Sequence, residues 1–233
     1  MKKIVLLIFM SGMAWSVYGQ TDMGSINNAE NFRFNVKSLK NIKSFEDISQ
    51  YFDGSVLLLD DWGEGVITMS SEKEEHRLMN YFLLDNSLVY KDDKDSILTF
   101  VYSDRIKNVL IGGRKFEMIT YMDKKGENVE TGVMEIMVEG NPLALAKKYD
   151  AVIKEGQDGS GYKEATRPYI ETKAQLFYKP GDGIFTPVPS RKKDYYSIFG
   201  DKAKEVEAHA KQNKLKINDM GIAAMCEYYN SLF

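Results

Sequence analysis

The chain has 233 residues, of which 43% are hydrophobic, with 31 Lys and Arg against 34 Asp and Glu. A net charge of −3 gives no general attraction for nucleic acid or for an anionic membrane surface, so neither is an expected partner. A single cysteine, Cys226, excludes an internal disulfide, and two histidines leave little material for catalytic triads or zinc sites.

The first twenty residues predict a secretory signal peptide. Lys2 and Lys3 precede the apolar run 4–10, and small residues follow up to Gly19. The run is too short to span a bilayer, which needs ~20 apolar residues, and no later stretch is long and apolar enough to do so. We expect cleavage after Gly19 or Gln20 and export to the periplasm, the outer-membrane surface or the medium. Loss of both lysines leaves 29 basic against 34 acidic residues, a net charge of −5.

Residues 21–31 are polar and predict a disordered leader, and residues 32–189 predict an antiparallel β body. A first alternating strand is expected at 32–36. Short apolar runs separated by turn residues then predict strands at 56–59, 65–69, 79–84, 88–90, 97–102, 106–111, 116–121 and 133–138. Turns at this close spacing, with no long helical pattern between them, favour antiparallel strands over βαβ units.

Two local features refine this part of the chain. Gly112 and Gly113 lie between alternating runs and predict a two-residue hairpin, since glycine adopts positive φ without a steric cost. Residues 143–154 have helical propensity but follow a hairpin turn, and we interpret them as a returning strand. A last hairpin is expected around residues 179–183, flanked by strands at 175–178 and 184–186.

Residues 190–233 predict a helical segment packed on the same domain. Residues 195–199 read as a helix ended by Gly200, and a second helix is expected from residue 202 to about 213, with Ala203, Val206 and Ala210 on one face. A third runs over 218–232. Apolar residues recur there at every fourth position and predict the face that docks on the sheet: Met220, Ala224, Tyr228 and Leu232. The expected fold class is α+β, a mostly antiparallel curved sheet or open barrel-like meander with C-terminal helices packed on it.

No stretch has the pattern of a catalytic or metal site. His76 lies in a charged run and is interpreted as a solvated turn residue. His209 and Cys226 fall in the last two predicted helices, but a cysteine between Met225 and Glu227 is typical of a small buried hydrophobe rather than a reactive thiolate. We assign no catalytic residue, no cofactor and no metal. A carboxylate pair for glycoside hydrolysis stays open, because the spacing of acids in space is not visible in the sequence.

Asp61 and Trp62 form the candidate binding surface. A tryptophan between aspartate and glycine at a turn is a candidate for exposure, and exposed tryptophans often mark binding sites. The alternative is a tryptophan that closes one end of the core.

Four stretches carry a resemblance to exported proteins of Bacteroidota-type bacteria: residues 60–65 (DDWGEG), 105–116 (RIKNVLIGGRKF), the hairpin at 178–187, and the ending 227–232 (EYYNSL). No activity is known for such proteins. The resemblance implies export, a β-rich body and a helical C-terminus.

Together these observations predict an exported, non-catalytic cell-envelope protein that binds a partner or ligand. The alternative is a secreted hydrolase that uses a carboxylate pair. A third interpretation, a carrier with an apolar barrel interior, requires a roomy apolar cavity.

Overall fold

The structure is a computed structural model that describes residues 51–157, 162 and 165–233, without the side chains of residues 192 and 193. The predicted signal peptide, the leader and the strand at 32–36 lie outside the described residues.

Within the described residues, ten strands form one antiparallel sheet, followed by a helical segment, as the sequence predicts for an α+β fold. The strands are β1 Gly63–Met69, β2 Glu74–Phe82, β3 Ser87–Lys91, β4 Ile97–Phe100, β5 Ile106–Ile111, β6 Arg114–Met122, β7 Val129–Val138, β8 Leu143–Lys154, β9 Tyr169–Pro180 and β10 Thr186–Pro187. Their order across the sheet is β10-β9-β8-β7-β6-β5-β1-β2-β3-β4. The sheet is open, with β10 and β4 at its edges.

Turn chemistry explains two of the short connections. Gly112 and Gly113 have φ of 57° and 79°, which places the predicted two-residue hairpin between β5 and β6. Asn86 has φ of 56° in the turn between β2 and β3, where the carboxylate of Asp85 accepts the backbone N–H of Ser87 at 3.1 Å. The interpretation of residues 143–154 as a strand is confirmed, since all twelve form β8.

Three strand predictions need correction. Residues 56–59 are not a strand but a segment that crosses the end of the sheet, with one bridge from Leu57 to Phe82. β2 begins at Glu74, so the charged run that contains His76 belongs to the exposed first half of a strand, not to a turn. The strand predicted at 184–186 is instead β10, which has only two residues, and the backbone contact with β9 continues at Val188, whose N–H donates to the carbonyl of Leu176 at 2.9 Å.

The sheet curves so strongly that strands of its first half, such as β2, pack on strands of its second half, such as β7. Tyr81 of β2 donates a hydrogen bond to the carbonyl of Val133 on β7 at 3.2 Å, which joins the two halves. Fully buried side chains fill the space between them: Met79, Leu88, Val109, Ile111 and Phe116. The carrier interpretation requires a roomy apolar interior, and this core is instead occupied by side chains.

The opposite face of β6–β9 curls around a second, smaller core. Ala144 and Ala146 of β8 are small enough for the neighbouring strands to close around Tyr121 and Phe177, whose rings meet edge to face with centroids 5.1 Å apart. Phe185 completes this core, and its carbonyl accepts the N–H of Met122 at 2.8 Å.

The helical segment consists of a 3₁₀ helix, Lys192–Lys202, and two α-helices, α1 Ala203–Gln212 and α2 Asp219–Asn230. Gly200, with φ of 52° and ψ of −125°, interrupts this segment, so the predicted end of a helix at Gly200 is confirmed, although that helix begins before residue 195. Val206 and Ala210 of α1 are buried as predicted. α2 packs on β7 and β8, and α1 packs on α2 and on the 3₁₀ segment, within one core that includes Val138, Leu143 and Leu145.

The predicted docking face of α2 is wrong. Met220 is 74% exposed. The residues that contact the sheet core are Ile222, Met225 and Cys226, which lie on a different face of the helix from Met220. The ends of α2 are fastened to β8 by polar contacts. Lys147 lies 2.6 Å from Asp219, and the Asn230 amide pairs with the backbone N–H and carbonyl of Leu143 at 3.0 and 2.7 Å.

Candidate functional site

The candidate site is an open cleft of about 490 Å³ between the β4–β5 connection and strands β6 and β7. Its volume falls in the range of small-molecule pockets, ~300–1,000 Å³. The lining residues are Tyr102, Ser103, Asp104, Ile106, Lys107, Glu117, Met118 and Thr131. Strands β5, β6 and β7 are neighbours in the sheet, β5 pairs with β6 only over residues 109–111, and the β4–β5 connection leads directly into β5, so these residues lie around one opening.

One wall is held rigidly by Tyr102. Its ring meets Phe100 edge to face at 5.2 Å between centroids, and its hydroxyl donates to the carbonyl of Phe116 at 3.1 Å. Burial, with a smaller contribution from the charge of Glu117, raises the pKa of Tyr102. The phenol therefore stays neutral and acts as a hydrogen-bonded, apolar wall.

The rest of that wall is a tight turn. The backbone N–H of Ile106 donates to the carbonyl of Ser103 at 3.0 Å. Ser70, in the β1–β2 connection, donates from its backbone N–H to Arg105 at 2.7 Å and from its hydroxyl to Asp104 at 3.2 Å, both to carbonyl oxygens. The carboxylate of Asp104 is left exposed at the mouth.

The charges around the cleft are mixed. Lys107 pairs with Glu72 at 2.9 Å, and Glu117 pairs with Lys115 at 2.7 Å. Met118 is 45% exposed and supplies apolar surface between these groups. The lining thus presents both apolar and charged groups to the cleft. The lining contains neither histidine nor cysteine, so it lacks the usual nucleophile–base pairs.

A second polar cluster lies deeper, where the sheet core meets the helices. Arg114 binds Glu135 with two parallel hydrogen bonds of 2.9 and 2.8 Å, and the Tyr149 hydroxyl contacts both partners. Burial alone would raise the pKa of Glu135, but the hydrogen bonds and charge of Arg114 outweigh burial and lower it. Burial and Glu135 together raise the pKa of Tyr149. With its members fully paired, this cluster is structural.

Asp61 and Trp62 lie in the segment that enters β1. Trp62 is half-buried, with the ammonium of Lys91 5.3 Å from its ring centroid, and Asp61 is exposed. The segment is held by Asn80, a buried residue of β2, whose amide donates to the carbonyls of Leu59 and Asp61 at 2.9 and 3.2 Å. Neither Asp61 nor Trp62 lines the cleft.

The other reactive residues are placed as follows. His209 stacks on Tyr228 at 3.6 Å between ring centroids. Cys226 is buried, and burial raises the pKa of its thiol to about 12, which keeps it protonated and unreactive. Within the described part of the chain, no three His, Cys, Asp or Glu side chains are grouped so that they could hold a metal ion.

Sequence reasoning missed the cleft. The sequence predicts residues 102–107 only as the end of one strand and the start of the next, and Met118 only as a position in an alternating strand. The signal that marks the site is weak: Met118 shares a strand face with the buried Phe116 but is 45% exposed among the described residues.

Comparisons with protein families, curated proteins and solved structures found no match to this chain. Among the described residues, none of the helices combines the length and apolarity needed to cross a bilayer.

Proposed function

We propose that this protein is an exported, non-catalytic component of the cell envelope that binds a ligand or partner in the cleft beside Tyr102. The observation that carries the proposal is the cleft itself, a concavity of about 490 Å³ with apolar surface from Tyr102, Ile106 and Met118. Export is supported by the basic and apolar start of the sequence, Lys2 and Lys3 followed by residues 4–10.

Binding is favoured over catalysis by the chemistry of the lining. The Tyr102 hydroxyl is engaged by a backbone carbonyl, and Lys107 and Glu117 already have ion-pair partners. These groups position and recognise a ligand, and none of them is paired with a base that would activate a nucleophile. The polar groups at the rim and the apolar groups at the floor match the common anatomy of ligand sites.

The test is a binding screen of the purified mature chain against envelope components, followed by titration of each hit. Met118→Arg places a long charged side chain in the cleft and should weaken binding at least tenfold. Met220→Arg is the matched control, since Met220 is also an exposed methionine but lies on α2. Equal affinity for the two variants would place the binding elsewhere and overturn the proposal.

Location needs a separate experiment. Fractionation of cells that express the tagged chain, combined with crosslinking, reports the compartment and the neighbouring molecules together. The proposal requires the chain outside the cytoplasm with its N-terminal segment removed, as mass spectrometry of the mature N-terminus would show. A full-length chain recovered from the cytoplasm contradicts it.

A second candidate, a secreted hydrolase, is favoured by one observation: the carboxylates of Asp104 and Glu117 line the same cleft. Two carboxyl groups flanking a scissile bond are the machinery of most glycoside hydrolases. A broad hydrolase panel tests it. Turnover that is lost in both Asp104→Asn and Glu117→Gln, but kept in Met220→Arg, would replace the binding proposal with this one.

A further inference from the structure

The charges that line the cleft beside Tyr102 do not balance. Its charged lining residues are Asp104, Lys107 and Glu117. The ammonium of Lys107 lies 2.9 Å from the carboxylate of Glu72, so this positive charge is neutralised within the protein. The ligand that the cleft can recognise therefore depends on the charges that remain after such pairing.

The carboxylate of Asp104 is one charge that remains. Asp104 is exposed, and no described side chain pairs with its carboxylate. Its backbone is nevertheless held in place, because its carbonyl accepts the hydroxyl of Ser70 at 3.2 Å and the N–H of Ile106 donates to the carbonyl of Ser103 at 3.0 Å. The turn thus presents a fixed and unpaired negative charge at the mouth of the cleft.

The group around Lys115 adds a second negative charge. The ammonium of Lys115 lies 2.7 Å from Glu117 and 2.6 Å from Glu139, so one positive charge serves two carboxylates and the group keeps a net charge of −1. Together with Asp104, the charged groups at the cleft and their partners carry a net charge of −2. Arg105 follows Asp104 but does not line the cleft, and counting it still leaves −1.

The cleft also offers apolar surface beside these charges. Strand β5 pairs with β6 only as far as Val109 and Phe116, so Met118, the next residue on that face of β6, is left 45% exposed. Tyr102 and Ile106 line the same space of about 490 Å³. A ligand in this cleft thus meets apolar side chains and an unpaired carboxylate at the same time.

We propose that the ligand is an organic cation, an ammonium or guanidinium group attached to an apolar body, and that Asp104 binds the cationic group. This inference rests on the proposed function, because it names the chemical class of the ligand for the same cleft. An N–H group of the cation donates to the Asp104 carboxylate, and such charge-assisted hydrogen bonds are roughly twice as strong as neutral ones. A neutral ligand lacks this bond, and an anion is repelled by the net negative charge.

Three small probes of similar shape test the charge preference. Phenethylamine, 2-phenylethanol and 3-phenylpropanoate share a phenyl ring and a short alkyl chain, and at neutral pH they are a cation, a neutral molecule and an anion. Each is titrated into the isotope-labelled mature chain, and amide correlation spectra report both the affinity and the residues that respond. We expect phenethylamine to shift the amides of residues 103–107 and to bind ~5-fold more tightly than 2-phenylethanol, as an exposed ion pair allows. The anion should bind most weakly.

Asp104→Asn tests the residue itself, since it removes the charge with little change in size. Phenethylamine and 2-phenylethanol should then bind with equal affinity. Asp93→Asn is the matched control, because Asp93 is another exposed aspartate without a described partner and does not line the cleft. This variant should keep the full preference for the amine.

Three results would overturn the inference and leave the binding cleft of the proposed function in place: equal affinity of the three probes at the cleft, tighter binding of 3-phenylpropanoate, or a preference for the amine that survives in Asp104→Asn. Phenethylamine that shifts no amide of the cleft also overturns it. The effect of Met118→Arg on the ligands found in the binding screen then decides separately whether the cleft binds a ligand of another class.

Discussion

Replacing Asn80 with alanine should cost more stability than replacing any exposed asparagine of the sheet. Asn80 is 0% exposed, and its side chain uses its whole hydrogen-bonding capacity. Its oxygen accepts the N–H groups of Leu59 and Tyr81 at 3.1 and 2.8 Å, and its nitrogen donates to the carbonyls of Leu59 and Asp61 at 2.9 and 3.2 Å. One side chain therefore fastens the segment before β1 to the middle of β2.

The magnitude follows from these four bonds. A typical hydrogen bond contributes ~1 kcal/mol net, and a buried group left unpaired costs ~1–3 kcal/mol. Asp61 is exposed, so water can replace the bond to its carbonyl, whereas the N–H of Tyr81 is buried and stays unpaired. We expect a loss of about 3 kcal/mol in the free energy of unfolding, a large fraction of the ~5–15 kcal/mol of an ordinary domain.

Urea unfolding, followed by far-ultraviolet circular dichroism and tryptophan fluorescence, measures this loss. Trp62 follows Asp61 directly, and the other tryptophan, Trp15, lies in the predicted signal peptide, so fluorescence of the mature chain reports on this segment. Asn108→Ala is the matched control, a partly exposed asparagine on β5. If Asn80→Ala loses less than ~1 kcal/mol, or no more than the control, Asn80 does not hold the segment and the argument fails.

Three further predictions rest on the polar contacts and on the thiol. The pKa of Glu135 is lower in the folded chain than in the unfolded chain. Its pairing therefore stabilises the fold fully at pH values above the ordinary glutamate pKa of ~4.3, and this stabilisation is lost as the pH falls through the folded-state pKa. Unfolding free energy should thus decline in acid, and Glu135→Gln should lessen that decline; an unchanged profile refutes the assignment. Asn230→Ala removes two hydrogen bonds to Leu143 and should cost ~1–2 kcal/mol by urea unfolding, against almost nothing for the exposed Asn128→Ala. That reasoning fails if the two variants unfold at the same urea concentration. Cys226, whose pKa is raised to about 12, should resist an aromatic disulfide reagent at pH 8 until urea unfolds the chain, and rapid labelling of the native protein would show that the thiol is accessible.

Local sequence patterns predicted most of the elements, because those patterns act over a few residues. Gly112 and Gly113 predicted a hairpin through their backbone freedom, and the structure places it there. Val206 and Ala210 predicted the buried face of α1 through helical periodicity. The same logic failed for α2, which is apolar on more than one side: the four-residue spacing selected the face of Met220, whereas the sheet packs on the face of Met225.

Residues 56–59 show a second limit of local reasoning. Four consecutive apolar residues fit a buried strand, yet this segment is buried because it crosses the end of the sheet, where Val56 packs with Phe52 and Ile170. A short apolar run is equally compatible with a paired strand and with a buried segment that is not a strand. Only the position of β2 and β9 in the folded chain distinguishes these two cases.

The sequence by itself determined the class of the fold and where its turns and helices fall, because backbone freedom and periodicity are local properties. It also predicted an exported chain, from Lys2, Lys3 and the apolar run after them. The cleft beside Tyr102 was decided by tertiary structure. Its walls are β5, β6 and β7 together with the β4–β5 connection. β5 pairs with β6 only over residues 109–111, and where two neighbouring strands separate depends on packing across strands rather than on a local pattern.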